Sequence, residues 1–332
     1  MEIVGLDIGG ANVKAAHSSG DACSRPFALW KTPTGLPGAL SAILAKLPAA
    51  DLLAITMTGE LCDCFETKRQ GVHAILDAAA EAAGVIPVRV WSTDGRLVDI
   101  EAAREDPLRV AAANWHALAT YVGRFVPSGA GILIDVGSTT TDIIPLQGGK
   151  PSAFGLTDPD RLQHRELLYT GIRRTPVCAL LGNTVAAEVF ATALDAYLTL
   201  GLVPEEADHQ DTADGRPATR MAAHARLARM ICADTESCSL AATRELAQRV
   251  FEVQRHWLRQ ALNYVIEAHQ LVRPAAIVVA GSGEFLARSA LAMPPPLRIR
   301  QTISLADMLG AEISAAACAH AVAMLAAEEQ GA

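Results

Sequence analysis

The chain carries one short pattern twice, and that repetition restricts its fold more than any other feature. Ile3-Val-Gly-Leu-Asp-Ile reads as a buried strand bearing an acid near its end, Gly9-Gly10-Ala11-Asn12 as a turn, and Val13-Lys14-Ala15-Ala16 as the return. Gly131-Ile-Leu-Ile-Asp135, the turn Val136-Gly-Ser-Thr-Thr and the return Thr141-Asp-Ile-Ile144 repeat the arrangement. Aligning Asp7 with Asp135 superposes strand, acid, apolar residue and glycine-containing turn at an offset of 128 residues. That period is far too long for a solenoid and marks a duplicated domain with two lobes.

Between and after the hairpins, strand and helix patterns alternate, as in an α/β fold. Leu36 to Leu47, Lys68 to Ala83, Asp106 to Phe125, Glu188 to Leu200, Arg220 to Ile231, Leu240 to Gln270 and Leu305 to Ala327 read as helical. Leu52 to Met57 and Ala275 to Ala280 read as buried strands, and Pro204 to Thr219 as an ordered polar loop. Residues 1–127 with the last helix, about 304–327, form the expected first lobe, and 128–303 the second. At 332 residues, 51% hydrophobic and 19% charged, the chain has enough apolar material for such cores and none of the composition of a disordered segment.

A net charge of −8 with scattered Lys and Arg argues against nucleic acid or anionic lipid as a partner. There is no run of apolar residues of spanning length and no secretory signal at the start, so the expectation is a cytoplasmic protein without membrane attachment. Seven cysteines lack zinc or C-x-x-C spacing, and the Cys62-Asp63-Cys64 pair reads as ordinary thiols. The Ala/Leu stripe of the last helix suits a core or a homodimer interface equally.

Each hairpin sets turn N–H groups beside a carboxylate, the combination that holds polyphosphate and Mg²⁺. Gly281-Ser282-Gly283 adds a third glycine junction after a buried strand, where open α/β sheets bind ligands. Asp7-Ile-Gly-Gly-Ala-Asn-Val-Lys14, Asp135-Val-Gly-Ser-Thr-Thr-Thr-Asp142 and Ala280-Gly-Ser-Gly283 resemble the two phosphate motifs and the adenosine motif of the actin, heat-shock chaperone and sugar-kinase superfamily. The second motif most resembles the hydantoinase A/oxoprolinase branch. Thr56-Met-Thr-Gly-Glu-Leu61, Asn114-Trp115, Arg174-Thr-Pro-Val177, Asp211-Thr-Ala-Asp-Gly-Arg216 and Arg226-Leu-Ala-Arg229 resemble a smaller subfamily within it. That subfamily is tied to methanofuran-type cofactor biosynthesis and tetrahydromethanopterin-linked C1 transfer.

The resemblance implies a two-lobed, actin-like (duplicated ribonuclease H-like) fold with mixed sheets of five-stranded type and a cleft between the lobes. It implies a transferase that joins an aminomethylfuran diphosphate to the phenol of tyramine-glutamate and releases pyrophosphate, the bacterial counterpart making methylofuran. Asp7 and Asp135 are then the carboxylates on the Mg²⁺ side, and Gly9, Gly10, Asn12, Gly137, Ser138 and Thr139 the phosphate contacts. Lys14 is a cation for the leaving charge, and Gly281, Ser282 and Gly283 complete the cofactor-binding set. Glu60, at the mouth of a strand, is a general base or an ammonium contact. Arg174 is a clamp for phosphate or carboxylate, and Asn114 and Asp214 are further substrate contacts. Ala11 stands where kinases of this superfamily usually carry a hydroxyl, which suits a substrate diphosphate better than ATP. An ATP-dependent kinase or oxoprolinase-like subunit binding ATP/ADP, and a nucleotide-gated scaffold, are the alternative readings.

Overall fold

The computed structural model describes residues 1–271 and 273–331. In chain order, β1 (Ile3–Ile8), β2 (Asn12–His17), β3 (Ala22–Pro26), α1 (Leu36–Leu44), β4 (Leu52–Met57) and α2 (Lys68–Ala83) come first. They are followed by β5 (Val88–Ser92), β6 (Arg96–Asp99), α3 (Ile100–Glu105) and α4 (Asn114–Val122). The second repeat begins with β7 (Ala130–Val136) and β8 (Thr141–Gln147), then β9 (Lys150–Pro151), α5 (Asp158–Gln163) and β10 (Leu167–Leu168). Helices α6 (Val177–Leu181), α7 (Ala193–Leu200), α8 (Arg220–Met230) and α9 (Leu240–Ala268) lead to β11 (Ala276–Ala280) and α10 (Glu284–Leu291). The chain continues through β12 (Gln301–Ser304), α11 (Leu305–Leu309), α12 (Ala311–Ala315) and α13 (Ala317–Gly331).

Two mixed sheets result, ordered β3-β2-β1-β4-β5-β6 and β10-β8-β7-β11-β12, with β9 paired to β8. Short edge strands thus bring each sheet to six. The duplication seen in the sequence is a duplication of topology. β1 pairs antiparallel with β2 and parallel with β4, and β7 pairs antiparallel with β8 and parallel with β11. Both central strands are buried on both faces, which explains their nearly continuous apolar runs.

Helices α4 and α13 lie between the sheets. One apolar cluster runs from Ile3, Leu52 and Ala54 of the first sheet to Leu133, Ile144 and Val278 of the second, and Leu118, Val122, Ala321 and Val322 connect them. Leu40, Val72 and Ile75 cover the other face of the first sheet, and Leu258, Leu262 and Leu286 that of the second. The small residues of α13 are therefore core within this chain, because a helix apolar all round is stable only when covered all round. A Cβ on Gly5 would stand 1.9 Å from the carbonyl oxygen of Ala319, so α13 rests directly on the β1 backbone.

Three helical segments differ from the expectation. The stretch from Asp106 is broken: a 3-10 turn covers Pro107–Arg109, Ala112 takes a positive φ of 48°, and α4 starts only at Asn114. Asn114 is thus at a helix start rather than mid-helix. The terminal stretch is divided at Gly310, φ 96°, and again at Ala316 into three helices preceded by β12. Glu188 lies outside α7, whose start is set by the Thr192–Asp195 capping box. The expected ends of α2 and β4 coincide with those in the structure, the first because Gly84 takes a positive φ of 59° just after the helix.

Because the β1–α13 contact has no room for a side chain, Gly5→Ala should lower unfolding free energy by about 3 kcal/mol or more. The measurement is the urea midpoint, and an unchanged midpoint would show that α13 can move off β1 at no cost.

Candidate functional site

The hairpin registers decide which charges meet. Asp7 lies directly opposite Lys14 across β1 and β2, and Asp135 directly opposite Asp142 across β7 and β8. Opposed residues share a face, so each hairpin aims two ionisable side chains the same way. The turns close alike: Gly9 N–H donates to Asn12 O at 3.0 Å, and Gly137 N–H to Thr140 O at 2.9 Å. The two tips face each other across a cavity of about 90 Å³ lined by Asp7, Lys14, Asp135, Asp142, Asn114 and Cys318 together with turn residues from Gly9 to Asn12 and Gly137 to Thr140.

Three carboxylates share this buried space, and burial raises the pKa of each. Asp7 is 7% exposed, its Oδ1 has no hydrogen-bond partner among the described residues, and its pKa rises through desolvation, opposed by Lys14. Asp135 is pushed up to about 7 by desolvation and then by Asp142, while Lys14 opposes the shift. Its Oδ2 accepts a weak bond from Cys318 Sγ at 3.8 Å. Asp142 is raised by burial although Arg161 binds it in a charge-assisted hydrogen bond. The Arg161 guanidinium, itself buried, stacks over the Trp115 ring at 4.3 Å. Asp7 and Asp135 are therefore the carboxylates left to take an incoming cation. Among the described residues no group of three or more His, Cys, Asp or Glu side chains forms a ready metal cage. Mg²⁺ needs none, since it keeps several waters and takes one or two carboxylates, and the unpartnered Asp7 oxygen fits that role.

A larger cavity of about 270 Å³ adjoins the first and shares Gly10, Ala11, Thr58, Asn114, Thr139, Thr140 and Asp142 with it. Its further walls set Trp30, Leu61, Leu167 and Tyr169 beside the charged Glu60, Asp63, Asp158, Arg161 and Arg174, so it joins an aromatic and apolar part to a strongly charged one. Glu60 follows β4 and is 1% exposed, and its Oε2 has no partner among the described residues. Desolvation lifts its pKa to about 7, against the pull of nearby backbone N–H groups and Lys68. The Arg174 guanidinium stacks over Trp30 at 4.3 Å. A third cavity, about 190 Å³, shares Ala11 and Arg174 with the second.

Asp7, Lys14, Gly9, Gly10, Asn12, Asn114, Asp135, Gly137, Ser138 and Thr139 thus converge on the small cavity, with Glu60 and Arg174 beside it. Gly281, Ser282 and Gly283 line none of the three. Gly281, at φ 87°, instead lets β11 pass the acid strand, since a Cβ there would lie 2.4 Å from Asp135 Oδ1. The Glu284 carboxylate fills the space beyond, accepting from Ser304 Oγ and Ser314 Oγ at 2.6 Å each and from Ala306 N at 2.9 Å. Asp214 is also outside the cleft, its carboxylate taken by Arg216, by Arg226 at 3.0 Å and by Arg229 at 3.4 Å. Those hydrogen bonds hold its pKa down near about 2 against partial burial. Asp142, Arg161 and Trp30 are site residues that motif reading missed. Asp142 had a signal, for it stands in the second copy where Lys14 stands in the first; Arg161 and Trp30 reach the cleft from loop and short-helix positions with no period.

The hydantoinase/oxoprolinase family matches residues 51–328. The chain belongs to this family. It is 33% identical over 334 residues, 97% of each chain, to a Methanocaldococcus jannaschii protein named (4-{4-[2-(gamma-L-glutamylamino)ethyl]phenoxymethyl}furan-2-yl)methanamine synthase. A Methanococcus vannielii protein of the same name is 32% identical over 202 residues, covering 58% of this chain and 89% of its own. Among solved structures, nucleotide-free acetone carboxylase superposes with a TM-score of 0.60 at 11% identity, over 97% of this chain and 70% of the other. A ROK family glucokinase from Streptomyces griseus gives 0.51 at 16% identity, over 99% and 100%. These establish an actin-like, sugar-kinase type of fold for this hydantoinase/oxoprolinase family member. Among its described residues no helix is long and apolar enough to cross a membrane.

An acid whose pKa rises on folding opposes folding wherever it is ionised. Below about pH 4 Asp135 is protonated in both states and costs nothing; the penalty grows as pH rises to about 7 and is then constant. Asp135→Asn should therefore stabilise the metal-free protein by about 1 to 3 kcal/mol at pH 8 and by nothing near pH 4. Thermal unfolding at the two pH values measures this, and equal effects at both would remove the buried-charge explanation.

Proposed function

We propose that this protein is a transferase of methanofuran or methylofuran biosynthesis. It couples an aminomethylfuran diphosphate to the phenol of tyramine-glutamate and releases pyrophosphate. The observation that carries this reading is the junction of two cavities: a small one between the hairpin tips, lined by Asp7, Lys14 and Asp135, and a larger one that adds the Trp30 and Tyr169 rings beside Glu60. The likeness along almost the whole chain to a synthase whose name describes a phenoxymethyl-furan ether supports it.

In this reading the diphosphate lies between the two turns, whose N–H groups and Ser138 and Thr139 hydroxyls face its oxygens. Lys14 balances charge at the leaving group. A Mg²⁺ ion held by Asp7 and Asp135 supplies, when bound, further stabilisation of the departing pyrophosphate. The phenol occupies the larger cavity against Trp30 and Tyr169. Its oxygen forms the new bond to the furylmethyl carbon as the carbon–oxygen bond to the diphosphate breaks. The phenolic proton passes to Glu60, and the electron pair of the broken bond leaves with pyrophosphate.

A free phenol ionises near pKa 10, so a positioned base is worth a large factor at neutral pH. A carboxylate at about 7 is a stronger base than an ordinary glutamate and is still ionised just above neutrality. Burial without a partner for Oε2 is what sets that value.

Purified protein incubated with Mg²⁺, aminomethylfuran diphosphate and tyramine-glutamate should yield the ether and pyrophosphate, followed by mass spectrometry. Asp7→Ala should lower turnover by about 100-fold or more. Tight ATP binding with ADP formation and no ether would replace this reading with the kinase one. The rate should rise with pH through about 7 and level off, as protonated Glu60 loses its proton. Glu60→Gln should remove that limb and cost about 100-fold; a limb that survives the substitution assigns the base elsewhere.

A further inference from the structure

The 190 Å³ cavity lies beyond the reacting region described above, and its walls differ from those of the other two. On one side stand Arg173 and Arg174, whose backbone N–H groups donate to the Ser138 carbonyl at 3.0 and 3.1 Å. The backbone that carries both arginines is thereby tied to the tip of the second hairpin. Arg173 is paired with Glu206, whereas among the described residues Arg174 has no carboxylate within ion-pair distance. On the other side the loop between α7 and α8 presents Asp211 and Thr212.

That loop is anchored from below. Arg226, fully buried, binds Asp195 at 2.7 Å and Asp214 at 3.0 Å, and Asp214 also holds Arg216 and Arg229. Further along, Glu206 N–H donates to Ala218 O and Ala218 N–H to His209 O, each at 2.9 Å. Both walls are thus fixed without a ligand, so binding there carries little ordering cost. Among the described residues Asp211 itself pairs with Lys31 alone, at 3.6 Å, in a largely exposed pair. Such a pair contributes little and exchanges readily for another ammonium.

We propose that this cavity is the subsite for the α-amino acid head of the acceptor, with Arg174 taking the α-carboxylate and Asp211 the α-ammonium. The assignment rests on the acceptor reading above. Its physical reason is the pairing of signs. A guanidinium fork without a carboxylate partner and a carboxylate held by an exposed lysine line one cavity, and together they fit a group that carries both charges one carbon apart. A phosphate would be drawn to the arginines but repelled by Asp211, so the mixed lining favours the zwitterion over a second polyphosphate. Because Arg174 also lines the aromatic cavity, one side chain spans the two regions that a phenol and its γ-glutamyl tail would occupy.

The test is calorimetric titration of the full chain with γ-L-glutamyltyramine and with tyramine, and separately with pyrophosphate. The intact protein should bind the glutamylated phenol about 10-fold or more tighter than tyramine. Arg174→Ala and, in a loop position where folding is not at stake, Asp211→Asn should each bring that ratio towards one. Equal affinities in the intact protein, a ratio unaltered in both variants, or an Arg174→Ala protein that loses pyrophosphate affinity in place of acceptor affinity would overturn the subsite. An Arg174-dependent preference without ether formation in the coupling assay would leave the subsite standing and remove the transferase reading. Ether formed equally well from both phenols would do the reverse.

Discussion

Everything at the centre of this protein depends on burying charges where two hairpin tips meet. Three carboxylates and a lysine line a cavity of about 90 Å³, and desolvation raises the pKa of all three acids. An apolar interior would not tolerate this arrangement without compensation. The compensation differs between the copies. The first hairpin carries its own counter-charge, Lys14 opposite Asp7, whereas the second places Asp142 opposite Asp135 and depends on Arg161 from α5. Arg161 in turn stacks on Trp115 of α4, so the electrostatics of the second hairpin are coupled to the apolar core.

That core explains why the tips meet at all. α4 and α13 are wedged between the sheets, and α13 sits on the β1 backbone at Gly5 with no side chain between. A helix this closely seated sets the distance between the lobes as well as covering them. Asn114, at the start of α4, and Cys318, near the start of α13, consequently enter the cavity and touch at 3.7 Å. The two connecting helices therefore serve as structural spacers that also furnish part of the cleft wall.

The duplicated pattern, the hairpin strands β1, β2, β7 and β8 and the two acids were legible in the sequence because hairpins are local: strand, turn and return lie within about fifteen residues, and their apolar period shows directly, whereas the short strands β3, β5, β6, β9, β10 and β12 carry no such run. The extents of α2 and β4 were legible for the same reason. The break before α4 was not, since the Asp106-Pro107 signal marks a helix start while the positive φ at Ala112 has no side-chain signature. Asp214 and the Gly281–Gly283 turn stand apart from the three cavities for reasons that the sequence does not display. Their residue types suit ligands, but one carboxylate is held by three arginines and the turn is packed against Asp135 and backed by the Glu284 network.

The sequence by itself determined that two copies of a strand-acid-turn hairpin would form, with Asp7 and Asp135 near their tips, since each follows from short-range patterning and chain geometry. Only the tertiary structure decided what those hairpins face. The approach of Arg161, Trp30, Arg174 and Asp211, from elements widely separated along the chain, is set by how α4 and α13 pack between the sheets. So too are the raised pKa values of Glu60 and Asp135, because desolvation is a property of everything packed around a group and is not encoded in its neighbours along the chain.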